Sequence, residues 1–107
     1  VTARAAAAAA LLALAAASAP AAAAPRTFSV VIDKMKFGAV PAGVHAGDTI
    51  VWVNKDMFRH TATARDNSFS VDLPAGKSGR TVVRHAGATA FYCKFHPGMT
   101  GTLTASR

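Results

Sequence analysis

Residues 49–54 read Thr49-Ile-Val-Trp-Val-Asn54, β-branched side chains packed around the only tryptophan of the chain. A run this short and this branched reads as a strand, and Gly47-Asp48 marks the loop before it. Upstream, Thr27-Phe-Ser-Val-Val-Ile32 alternates with period two, which puts Phe28, Val30 and Ile32 on one face of a second strand. Lys34–Phe37 reads as a short edge piece, and Gly38, Pro41 and Gly43 as the loop that follows. Downstream, strands are expected at Thr61–Ala64 and Phe69–Asp72, separated by the turn Asp66-Asn67. Leu73–Gly79 reads as a loop. Arg80–Arg84 and Ala88–Cys93 flank the turn His85-Ala86-Gly87, and Thr102–Ala105 closes the chain. No helical period is sustained after Thr27. Seven or eight short strands with turn signals every ~8–12 residues predict an all-β, antiparallel sandwich in a single domain.

The chain has 107 residues, with 12 Lys and Arg against 5 acidic residues, all Asp, for a formal charge of +7. Much of its apolar content is alanine in the first 24 positions. There Arg4 precedes an Ala/Leu run from Ala5 to Ala17, followed by small residues at A-x-A spacing. This is the pattern of a secretory signal peptide, expected over residues 1–23 and cleaved after Ala23, which leaves a domain over 24–107. An alanine-rich helix of the fold is the competing reading, but the run is terminal, lacks a polar face and ends in Pro20 and Pro25. A membrane span needs ~20 strongly apolar residues, and Leu11, Leu12 and Leu14 among alanines make a weak one. The length excludes a multidomain enzyme and an α/β barrel of roughly 200 residues or more. The single cysteine, Cys93, excludes an internal disulfide, an all-cysteine zinc site, a cysteine-ligated iron–sulfur cluster and a C-x-x-C redox pair. In an oxidising compartment an unpaired thiol is a liability unless it is used or buried.

Residues 91–101 read Phe-Tyr-Cys-Lys-Phe-His-Pro-Gly-Met-Thr-Gly, which spaces Cys93, His96 and Met99 as C-x-x-H-x-x-M. All three side chains bind soft or borderline metals. Pro97-Gly98 between His96 and Met99 predicts a type II turn, whose first and fourth Cα atoms lie within about 7 Å. Cys93, ending a strand, enters the same loop from the other side. A fourth donor is expected from His60, which follows the Trp52 strand after a short loop. His45 and His85 lie in turns and are read as exposed, Met35 as packing, and Met57 as at most lining the site. Two imidazoles and a thiolate in a plane, with an axial thioether, form the blue-copper pattern. Imidazole suits Cu(II) and sulfur suits Cu(I), so a preformed mixed site lets copper change state with little rearrangement. Zinc has no use for the methionine, and a Cys93–His96 nucleophile pair lacks a third orienting group.

The segments Gly47–Asn54, His60-Thr61 and Phe91–Met99 together resemble the cupredoxins, the small blue-copper proteins, over about Phe28 to Leu103. The short ligand loop is the most specific part of the likeness. The resemblance implies a Greek-key sandwich with one copper ion at one end, His60, Cys93 and His96 as equatorial ligands and Met99 as the axial one. Many members carry Asn after the first histidine where this chain has Thr61, so the hydrogen bonding between the two ligand loops is expected to differ.

The function expected is one-electron transfer in the periplasm or another exported space, by a monomer that is not an enzyme. His96 is the expected exit port, with Met57, Phe58, Phe95 and Pro97 as apolar surface around it. Removal of Arg4 with the leader leaves a charge of +6, which would steer the protein to a redox partner with an acidic surface. The basic residues are scattered without an aromatic platform, against nucleic-acid binding. A copper carrier or buffer is the alternative that the same ligands permit.

Overall fold

The structure, a computed structural model, describes residues 23–107. The expected signal peptide therefore lies outside the described residues, save for Ala23. Among the described residues no helix is long and apolar enough to cross a membrane. The described residues form nine strands in order: β1 (Thr27–Asp33), β2 (Lys36–Phe37), β3 (Val44–His45), β4 (Thr49–Asn54), β5 (His60–Ala64), β6 (Ser70–Leu73), β7 (Ser78–Val82), β8 (Gly87–Tyr92) and β9 (Thr100–Ser106). They form two sheets, β2-β1-β4-β7 and β3-β9-β8-β5-β6. The all-β sandwich expected from the alternation is the architecture found.

The alternation also predicts which side chains face inward. In β4, Ile50, Trp52 and Asn54 are buried, and in β1 Val30 and Ile32 are. They meet Phe91, Leu103 and Ala105 from the other sheet. Trp52 sits at the centre, 5.0 Å from the Phe91 ring, 5.8 Å from Phe69 and 6.0 Å from Phe37. Its indole N–H is satisfied by Thr81 Oγ1 at 3.0 Å, so the bulky ring is buried without an orphaned donor.

Three features depart from the expected layout. The first is β3, a two-residue strand inside what reads as loop. The chain crosses there from one sheet to the other, and this crossover lets β4 lie parallel to β1, Thr27 opposite Thr49. The second is β7, which begins at Ser78 rather than Arg80. A side chain at Gly79 would collide with Val71, so the glycine belongs to a strand pressed against β6. The third lies between β1 and β2, where Lys34 (φ 51°) and Met35 (φ 61°) form a two-residue turn with both residues left-handed. That backbone usually calls for Asn-Gly, and here it is held by contacts described below.

At the pole where β1 and β4 begin, Asp48 ties the strand starts together. Its carboxylate accepts the backbone N–H groups of Arg26 and His45, each at 2.8 Å. These bonds, Arg26 first, hold its pKa below the usual carboxylate value. The folded state thus resists protonation that the unfolded chain accepts. The stabilisation is complete above the ordinary value of 3.8 and is lost as pH falls through the depressed folded value. Urea midpoints measured from about pH 5 down to pH 2 should fall less steeply in Asp48→Asn than in wild type. Parallel slopes would mean that Asp48 contributes nothing to acid lability.

Candidate metal centre

β8 ends at Tyr92 and β5 begins at His60, and Thr63 pairs with Tyr92 across the two antiparallel strands. Cys93 therefore leaves the sheet at the end where His60 enters it, and both side chains are fully buried. The loop beyond Cys93 is two tight turns in succession. His96 N–H donates to the Cys93 carbonyl at 3.3 Å, and Met99 N–H donates to the His96 carbonyl at 2.8 Å. Cys93 N–H closes the mouth on the Met99 carbonyl at 3.1 Å.

The His96–Met99 turn closes as the sequence leads one to expect, but it is not type II. Type II requires a left-handed residue at its third position, and Gly98 is not among the glycines with positive φ. A β-carbon on Gly98 would meet nothing within 4 Å. Gly98→Ala should accordingly leave the melting temperature and any metal affinity unchanged or slightly improved, by up to about 1 kcal/mol. A clear loss in a thermal melt would restore the type II assignment.

Three donor atoms converge at this end. Cys93 Sγ lies 3.7 Å from His60 Nδ1 and 3.8 Å from His96 Nδ1, and all three lie within 4.8 Å of one another. A first-row ion held about 2.0 Å from nitrogen and 2.3 Å from sulfur in a trigonal plane separates N from S by about 3.7 Å. The spacing fits a single ion without rearrangement, and one thiol with two imidazoles suits copper. The cluster is positioned to bind one copper ion. Met99 is buried beside Cys93 in the same apolar cluster, placed there by the closing turn. His45 and His85 are exposed, apart from this cluster, and His45 Nδ1 bonds the Gly43 carbonyl instead.

The buried imidazole of His60 is aimed by groups that sequence reading missed. Its Nε2 donates to Asp56 Oδ2 at 2.8 Å, which leaves Nδ1 with a free lone pair facing the thiol. Asp56 is itself fixed: Oδ1 accepts Lys34 N–H at 2.7 Å and Oδ2 accepts Met35 N–H at 2.9 Å. The left-handed turn of the β1–β2 hairpin is thereby explained, since it points two successive N–H groups at one carboxylate. The Met35 bond, ahead of those from His60 and Lys34, holds the Asp56 pKa below the ordinary carboxylate value. Asn54 braces the same loop. Its Nδ2 donates to the carbonyls of Phe58 at 2.8 Å and Leu73 at 2.9 Å, while its Oδ1 accepts Asp56 N–H at 2.9 Å. The signal in the sequence was the pair Asn54 and Asp56, short polar residues at the end of an apolar strand. Their reach back to Lys34 depends on the hairpin, which is not readable from spacing.

His96 differs from His60 in being half-buried, with its ring 5.0 Å from the His60 ring and 6.5 Å from Phe58. Four large apolar side chains are notably exposed among the described residues, and three of them flank this site: Met57 (83%), Phe58 (52%) and Phe95 (52%).

Comparison with known proteins agrees with this geometry. The family model of the cupredoxin-like domain matches residues 4–105. Among solved structures, amicyanin from Paracoccus versutus (Thiobacillus versutus) is similar at a TM-score of 0.64 and 25% identity, over 85% of this chain and 88% of that one. A proline-to-phenylalanine variant of amicyanin in its reduced state is similar at a TM-score of 0.64 and 23% identity, over 75% of this chain and 82% of that one. No curated protein matches in sequence.

Proposed function

The chain belongs to the cupredoxin-like family, and on that footing we propose that its exported domain, residues 24–107, carries single electrons between protein partners. His60, Cys93 and His96 would hold one copper ion, and the Met99 thioether would add a further sulfur donor. Copper, when bound, supplies a one-electron couple between Cu(I) and Cu(II). The observation that carries this reading is the convergence of two imidazole Nδ1 atoms on a fully buried thiol, one of the two imidazoles being only half-buried.

The residues divide the work by burial. His60 and Cys93 keep water away and, fixed by Asp56 and the closed loop, hold their positions whichever charge the site carries. His96, the half-buried one of the pair, provides the route outward. Met57, Phe58 and Phe95 form an apolar collar of the kind that suits brief encounters burying less than ~1,200 Å² in total. Lys55 and Lys94 stand in the same two loops, whereas Arg59 is paired with Asp72, Nε to Oδ1 at 2.8 Å. The uncompensated charge at this face is positive, which supports an acidic partner surface. The association rate with such a partner should fall steeply between about 20 and 200 mM salt. A rate indifferent to salt in stopped-flow measurements would leave the collar alone responsible for docking.

Burial also separates this reading from that of a copper carrier, which must release its cargo. The copper-loaded protein is expected to cycle repeatedly between a mild reductant and a mild oxidant without losing metal to a competing chelator. Release in either state would overturn the electron-carrier reading in favour of delivery.

A further inference from the structure

The four sheet edges are not alike. β2 and β3 are two residues long, and β6 has its Asp72 tied to Arg59 and its Val71 set against Gly79. β7 is the long open edge, bonded to β4 on one side and to no strand on the other. Its register fixes which backbone groups are left over. Asn54 N–H donates to the Lys77 carbonyl at 2.9 Å, and Val83 N–H donates to the Asp48 carbonyl at 2.8 Å. Hydrogen-bonded pairs of an antiparallel ladder recur at every second residue, so Lys77, Gly79, Thr81 and Val83 face β4. Ser78, Arg80 and Val82 therefore turn both N–H and C=O outward, where no backbone partner meets them among the described residues.

The side chains along this edge have one chemistry. Arg80 and Arg84 flank Val82, which is 46% exposed and is the one notably exposed large apolar residue that does not belong to the collar. The ion pairs among the described residues are Arg59–Asp72 and Asp56–His60, so both arginines stand uncompensated. Beside them an open groove of about 230 Å³ runs between β7 and β6, with Phe69 and Val71 among its lining. Such an edge accepts an added strand. A second copy fits it badly: two β7 edges paired antiparallel about Val82 set Arg80 of each opposite Arg84 of the other, like charges face to face. A strand with acidic residues opposite the two arginines and an apolar one opposite Val82 converts both repulsions into ion pairs. Val82 and Arg84 lie toward the Asp48 pole, as the Val83–Asp48 bond shows, so an occupied edge leaves the collar open.

We propose that the β7 edge is a docking site for an extended acidic segment of a partner protein, which adds to the four-stranded sheet as an outer strand. The segment reads acidic–x–apolar–x–acidic. Its main chain bonds Arg80 and Val82, its acids pair with Arg80 and Arg84, and it tethers the partner while the collar stays free. Nothing in this depends on copper, so the test stands whether or not the metal centre is read correctly. The probe is the capped peptide Thr-Glu-Thr-Val-Thr-Glu-Thr, with a control carrying lysine for both glutamates. At ~5 mM, against a Kd on the order of 1 mM, the glutamate peptide should slow water exchange of the Arg80 and Val82 amides by about 5-fold, and the lysine peptide should not. Val82→Pro removes an edge N–H without touching the β4 ladder, and should weaken the glutamate peptide by ~10-fold or more. Arg80→Glu combined with Arg84→Glu should exchange the preference, so that the lysine peptide binds instead. That variant decides the matter even if Val82→Pro does not fold. Equal protection by both peptides, no protection by either, or undiminished binding in a folded Val82→Pro would overturn the proposal. So would protection that grows with protein concentration before any peptide is added, which would give the edge to a second copy.

Discussion

Cys93→Ser is expected to give a protein that folds but takes up copper without colour. Wild type titrated with Cu(II) should reach one ion per chain and develop an intense visible band, because charge transfer from a thiolate to Cu(II) is strong and an alkoxide or hydroxyl offers none comparable. In the variant the band should vanish, and affinity should fall by more than the ~100-fold that loss of an outer-shell partner costs. Met99 and the two imidazoles remain, but without the sulfur the site keeps no anionic donor. Thermal melts provide a second readout. At copper a thousandfold above Kd, binding stabilises the native state by about 4 kcal/mol, worth upwards of ~15 °C in a domain of this size. Cys93→Ser should lose that increment while its metal-free melting temperature changes far less.

A serine in a fully buried pocket carries its own cost, so Cys93→Ala serves as the control. The smaller apolar side chain leaves Thr61 N–H without its sulfur acceptor but buries no hydroxyl. Both variants should lose the band alike. Retention of the blue colour by either would remove Cys93 from the site and take the electron-carrier reading with it.

How much of this site could be read beforehand depends on whether a residue acts through its neighbours in sequence. Cys93, His96 and Met99 are joined by two successive four-residue turns, so their convergence follows from local chain geometry. His60 is legible because it follows the strong Trp52 strand after a short loop, which in a sandwich can lie at the end where the Cys93 strand also ends. Even so, the turn at Gly98 departs from the expected type, since Pro-Gly permits a left-handed third residue without requiring one. Asp56 accepts bonds from Lys34 and Met35, and Thr61 from Lys94, over sequence separations of 21 to 33 residues, and no periodicity reports such pairings. The same holds for β3 and the parallel β1–β4 pair. Alternation specifies which face of a strand is buried, and it is silent on which strand lies beside it.

The second large effect couples the core to this site through one glycine. Gly101 of β9 lies directly opposite Phe91 of β8, two residues before Cys93. A β-carbon there would fall inside the van der Waals range of three Phe91 ring atoms, the farthest at 3.0 Å. The ring cannot swing away, because it is fully buried and packed edge-on against Phe37 at 4.8 Å and Trp52 at 5.0 Å. Gly101→Ala should therefore destabilise the domain by about 3 kcal/mol, at the upper end for overpacking and a large part of the total stability of a domain of this size. The expected fall in melting temperature exceeds ~10 °C. The strain should also reach the metal centre, because Phe91 and Cys93 point to the same inner face of β8 and its continuation. Phe91→Leu on its own leaves a cavity and costs stability, but combined with Gly101→Ala the smaller side chain makes room for the new methyl. The double variant should therefore be more stable than the sum of the two single losses by 1 kcal/mol or more, on the order seen for residues in direct contact. Strict additivity in urea unfolding would mean that the strands part to admit the methyl, and that the Phe91 ring does not fix the spacing beneath Cys93.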